Sequence, residues 1–275
     1  MLKSGRFWLA LLLVLILTVC LIHKLCSCPP NQPVQQYGTI VTVTAAATAT
    51  DTTALTTSVT TTTTVTTTVT DAPLSAAEPY LSKQKLAELH ANAEAVSATC
   101  ADFIGWLYVA DSEMDYPVVK GEDNQYYLSH APDGRYYRRG TIFLDYRLDR
   151  NFADATNILF GHNMVSGMFG DIRSYRNEQA FEAHRYGWLM TSEKLYRIDF
   201  FALSLASGYD ALYDVPQETE GWLNRLHETA LYEREPNHAE GDKYLLLSTC
   251  AGDFQAARLM FTGKLVPVTE EEACR

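Results

Sequence analysis

The sequence predicts a mainly β domain, closed as a sandwich or barrel, with one helix before the strands and another inserted late among them. Two observations predict it: short apolar runs rich in Val, Ile, Phe and Tyr, and turn signals between nearly all of them. A third is that about 200 residues after Pro73 suffice for one sizeable core. The first element is the predicted helix, where Leu86, Leu89, Ala93 and Val96 recur at helical spacing after Ser82, an N-cap residue type. We read it over Ser82–Ser97. Strands are then expected at Ile104–Val109, Tyr116–Lys120, Gly140–Tyr146 and Ile158–Gly161, and further on at Leu195–Leu203, Tyr244–Ser248 and Leu259–Val266. Between Pro216 and Pro236, Leu223, Leu226 and Ala230 mark the late helix.

The rest of the 275-residue chain is built differently. Lys3 and Arg6 precede the apolar run Phe7–Ile22, which His23 and Lys24 close. That run sits at the short end of what spans a bilayer as a helix. A cleaved signal peptide has a similar start, but no Ala-x-Ala-like site follows Ile22. We therefore expect an uncleaved anchor. Two basic residues before the span and one Lys after it place the N-terminus in the cytoplasm and the bulk of the chain outside. From Thr39 to Thr70 the composition collapses to Thr, Ala and Val, which cannot bury a core. This stretch is expected to be a disordered stalk. The expected divisions are 1–25 for the cytoplasmic tip and anchor, 26–73 for the stalk, and 74–275 for the folded domain.

The formal net charge of −11 argues against nucleic acid as a partner, because that partner demands a basic face. Cys20, Cys26 and Cys28 cluster at the membrane boundary, where acylation or chain-to-chain disulfides are chemically open. Cys100 and Cys274 flank the folded part and are one available disulfide pair. That leaves Cys250 as a reactive thiol. No Cys-x-x-Cys pair sits near a His pair, so a zinc site is not expected, nor any other cofactor.

Leu245-Leu-Leu-Ser-Thr-Cys250 ends a strand-like run with a nucleophile, and Arg258 follows inside the next apolar run. Thiolate is the attacking form, so the cysteine needs a basic or cationic neighbour. Asn157-Ile-Leu-Phe-Gly-His162 supplies an imidazole at the end of another strand-like run. Arg258 keeps its charge and suits a developing oxyanion. A turn containing Gly252 and Asp253, followed by an antiparallel strand, would bring Arg258 back beside Cys250. Taken singly, each residue has a plainer reading: a buried small hydrophobe, a strand-end polar group, an edge-strand cover.

Together these segments resemble the signature segments of the sortases, membrane-anchored cysteine transpeptidases of Gram-positive cell surfaces. The resemblance rests on Ser248-Thr-Cys250 with Arg258 and on Phe160-Gly-His-Asn-Met164, extended through Met168-Phe-Gly-Asp171. Asp123-Asn-Gln-Tyr-Tyr-Leu128, Gly140–Tyr146 and a helix near Glu218–Glu233 resemble class B in particular. The likeness covers about Leu81 to Val268. It implies a closed β-barrel with an N-terminal helical region, in which Cys250 attacks the scissile carbonyl of a C-terminal sorting motif to form a thioester. His162 would protonate the departing amine and Arg258 would hold the oxyanion. An amine of a peptidoglycan precursor or of a pilin would resolve the thioester. Asn124, Leu128 and Ser248 match positions that touch the bound motif, and Ser207–Tyr213 is expected to form part of the groove wall. One departure is Ala251, where some class B members carry a polar or acidic residue. Two other readings remain at this point. One is a non-enzymatic stalked adhesin or binding module. The other is an L,D-transpeptidase, which would need its His closely upstream of the Cys.

Overall fold

A computed structural model describes residues 80–215, 218–235 and 237–274. The expected anchor, stalk and domain boundary near residue 74 lie outside the described residues. No described helix is long and apolar enough to cross a membrane.

The chain enters through helix α1 (Lys83–Ser97), whose first turn is closed by the Ser82 hydroxyl accepting from Lys85 N at 3.0 Å. Strands β1 (Phe103–Val109), β2 (Asp115–Val119), β3 (Ile142–Leu144) and β4 (Thr156–Phe160) follow. After the short helix α2 (Glu178–Ala183) come β5 (Tyr186–Met190) and the long β6 (Leu195–Ser207). Helix α3 (Thr219–Thr229), β7 (Ala230–Glu233), β8 (Lys243–Cys250), β9 (Ala257–Val268) and the one-turn α4 (Glu270–Ala273) complete the domain.

The sheet runs in the order β5-β1-β2-β3-β4-β8-β9-β6, and β6 pairs back to β5, so eight strands close a barrel. Closure removes the exposed edges that an open sheet would leave. Strand β7 stands outside the ring on the second half of β6, opposite Ala202–Ser204, while β5 takes the first half. Most neighbours are antiparallel; β2–β3 and β4–β8 are parallel.

The interior is one apolar cluster that includes Leu107, Val118, Ile158, Leu189, Ile198, Phe200, Leu245, Leu247 and Phe261. Strand β8 is buried continuously from Tyr244 to Thr249, and on it α3 sets Trp222 against Tyr244 at 5.5 Å between ring centres, while Tyr213 meets Ser248. A second cluster packs α1, through Leu86 and Leu89, onto Trp106, Trp188, Met190 and Leu195.

One expectation is corrected and one open pairing is decided. The late helix was expected to reach Glu233, yet it ends at Thr229 and Ala230–Glu233 is a strand. Pairing with the open half-edge of β6 overrides helical spacing there. The available pair Cys100 and Cys274 is not joined; both are free thiols.

Candidate active site

The parallel pairing of β4 with β8 decides where the site lies. Phe160 stands opposite Ser248 in that ladder. Parallel strands end side by side, so their C-terminal continuations leave the barrel at the same rim. The alignment persists past the last paired residues: Gly161 N donates to Ser248 O at 3.2 Å, and Thr249 Oγ1 donates to Gly161 O at 2.8 Å. Asn163 Nδ2 then donates to Cys250 O at 2.7 Å. His162 therefore emerges beside Cys250.

The turn after β8 returns the chain antiparallel, and Arg258 is the direct cross-strand neighbour of Cys250. Asp253 in that turn is clamped by a two-pronged ion pair with Arg176 at 2.5 and 2.8 Å. Arg258 also faces Ala206 on β6, and Gly208 lies beneath it: a Cβ at Gly208 would come within 3.5 Å of the guanidinium carbon. Cys250 and Arg258 are half-buried, as is His162. A polar rim thus holds a thiol, an imidazole and a permanent cation on three neighbouring strand ends.

Each member is tied to backbone. The His162 Nε2 atom lies 2.8 Å from the carbonyl oxygen of Leu128. The loop behind it is pinned by Phe169 N donating to His162 O at 3.1 Å and by Met168 N donating to the Tyr116 hydroxyl at 2.8 Å. The Arg258 Nη1 atom donates to Ala257 O at 3.1 Å.

The other residues singled out from sequence border this rim. Leu128 exposes its side chain and lends its carbonyl to His162. Asn124 Oδ1 accepts from Tyr146 N at 3.0 Å, which fixes the turn before Leu128. Ser248 is buried, and its hydroxyl shares a 2.7 Å hydrogen bond with the Tyr213 hydroxyl. Tyr213 thus belongs to the rim. Burial pushes its phenol well above the ordinary tyrosine value, against the lowering effects of the Ser248 hydrogen bond and the Arg258 charge. Sequence reasoning reached Tyr213 only as one end of a groove wall, and it passed over Asn163. The signal for Asn163 was its place directly after His162, opposite the nucleophile once β4 and β8 are paired in parallel.

Comparison with known proteins decides the family. No family model matches the chain. It is 33% identical to sortase B of Listeria monocytogenes over 172 residues, which cover 60% of this chain and 70% of that protein. This chain belongs to the class B sortases. The solved structure of a Streptococcus pyogenes class B sortase involved in pilus biogenesis superposes with a TM-score of 0.59 at 26% identity, covering 63% of this chain and 97% of that one. A Bacillus anthracis protein similar to sortase B gives 0.58 at 31% identity, covering 64% and 83%. The chain is accordingly a sortase-type cysteine transpeptidase with a sortase barrel. That sets aside both the binding-module and the L,D-transpeptidase readings. In this sortase Ala251, directly after the cysteine, donates its N–H to Ala257 O at 2.9 Å and brings no carboxylate to the rim.

Proposed function

We propose that Cys250, His162 and Arg258 carry the transpeptidation. Cys250 sulfur attacks the carbonyl carbon at the scissile bond of a C-terminal sorting motif, and Arg258 donates to the oxygen as it becomes negative. The C–N bond then breaks, His162 delivers a proton to the departing amine, and a thioester remains on Cys250. An incoming amine, of a peptidoglycan precursor or of a pilin lysine, attacks the thioester and releases the thiol. Water in its place gives slow hydrolysis. Asn124, Leu128 and Ser248 line the path of the motif.

The observation that carries this reading is the shared rim, where Cys250 pairs with Arg258 and the parallel β4–β8 ladder delivers His162. The enzyme would act outside the cell, held to the membrane by Phe7–Ile22 and set off from it by the Thr-rich segment.

Incubation with Asn-Pro-Gln-Thr-Asn-like and Pro-x-Thr-Gly-like peptides, followed by mass spectrometry, tests it. We expect a thioester adduct on Cys250 that is absent from Cys250→Ala, and its discharge by an added amine. Cleavage of any of these peptides by Cys250→Ala would sink the assignment.

A further inference from the structure

The contact between His162 and Leu128 bears on how the imidazole is set for proton transfer. A carbonyl oxygen only accepts, so a ring nitrogen 2.8 Å from the Leu128 oxygen must carry hydrogen. We infer that the Leu128 carbonyl holds His162 with its proton on Nε2, so that Nδ1 is the atom exchanging protons with Cys250 and the departing amine, and that the Asp123–Leu128 turn is a positioning element of this reaction. The inference rests on the roles proposed above for Cys250 and His162.

The proton path follows. The Cys250 S–H bond breaks and its proton goes to Nδ1, while Nε2–H stays on the Leu128 oxygen. When the C–N bond of the substrate breaks, the Nδ1 proton passes to the leaving nitrogen, and the ring returns to its starting form with the acyl group on sulfur.

The turn is built to hold that carbonyl still. The Asp123 carboxylate accepts from both Gln125 N and Tyr126 N at 2.8 Å. The Tyr127 hydroxyl donates to Asp102 Oδ2 at 2.8 Å, and Thr141 N donates to Tyr127 O at 2.9 Å. Gly140 lies against the turn with φ +63°, and a Cβ there would sit 2.8 Å from the Leu128 oxygen itself and closer still to that of Tyr127. Only glycine adopts that φ freely and leaves the carbonyl room. The exposed Leu128 side chain is the one expected to meet the sorting motif, so one residue joins motif contact to imidazole orientation. With Ala251 after the nucleophile, a backbone oxygen does the orienting that an acidic side chain does in many other enzymes.

Nitrogen-15 NMR of the full chain labelled at histidine tests this, with His162→Gln identifying the resonances. We expect the neutral His162 ring to be the Nε2–H form. Gly140→Ala should lower kcat for the adduct-forming peptide about tenfold or more, with KM within about twofold, and move the ring toward mixed tautomers. Should Gly140→Ala fail to fold, Tyr127→Phe carries the same test, with a smaller fall in kcat. A predominant Nδ1–H form, or a tautomer change in either variant with unchanged kcat, would overturn the inference. His162→Ala separates the two levels. Full activity in it would remove the proposed role of His162 altogether, whereas lost activity together with an Nδ1–H ring would remove only the role of Leu128.

Discussion

The rim that bears Cys250 and the flank that bears α1 belong to one barrel but are stabilised in different ways. At the rim, half-buried polar side chains are tied to carbonyls: Asn163 to Cys250 O, His162 to Leu128 O, Arg258 to Ala257 O. On the flank, Leu86 and Leu89 are buried against Trp106 and Trp188, and the polar ties of Lys85 and Trp106 go to the Asp115 carboxylate rather than to a reactive group. A hydrogen bond contributes roughly 1 kcal/mol net, whereas burying a leucine contributes about 1.5–3 kcal/mol. The rim therefore trades stability for fixed geometry, and the flank supplies cohesion.

That contrast breaks most sharply at Arg258. Replacing it by Ala should cost about a hundredfold to a thousandfold in kcat and leave the midpoint of thermal unfolding within a few degrees. Steady-state kinetics beside a melting curve checks both halves. A large fall in stability with modest kinetic loss would make Arg258 a structural residue. On the flank the mirror image is expected: Leu89→Ala should lower stability by about 2–5 kcal/mol in urea unfolding, with kcat unchanged in the folded fraction.

A smaller effect is expected behind the rim, at the buried Asp145. Burial alone would raise its carboxyl, but two side-chain bonds from Arg147, its backbone N–H and Asn124 outweigh that and hold it below the ordinary value. Arg147 also donates to Tyr213 O at 2.9 Å, so this ion pair braces the rim from behind. A carboxylate depressed in the folded state contributes stability that is present above its unfolded value near pH 4 and is lost as pH falls through the folded value. Asp145→Asn should lower stability at neutral pH by about 2 kcal/mol and flatten the acid limb, read from unfolding midpoints between about pH 3 and 7. An unchanged acid limb would detach Asp145 from acid stability.

The legibility of the sequence divides along the same line. Strands β4, β8 and β9 read well because each is a dense apolar run with a residue of recognisable chemistry at or beside one end. The turn with Gly252 and Asp253 returns Arg258 beside Cys250 as its spacing suggests. Strand β5, Tyr186-Gly-Trp-Leu-Met190, was missed, although it closes the ring. It is short, carries a glycine and shows no alternation, because both its faces are covered, Leu189 by the barrel core and Trp188 and Met190 by α1. Strand β7 was read as helix because its pairing partner, the free half-edge of β6, is visible only in three dimensions. The same holds for Asn163 and Tyr213, whose partners Cys250 and Ser248 lie far along the chain.

The parallel ladder of β4 and β8 has a consequence for when reactivity appears. Its register unites Phe160 with Ser248 across a long intervening loop of chain, so it carries a heavy closure entropy and depends on the strands between being in place. No local fragment contains both thiol and imidazole. On the roles proposed for Cys250 and His162, nucleophilic competence is then a collective property of the finished barrel, and a chain still folding holds its thiol apart from its imidazole.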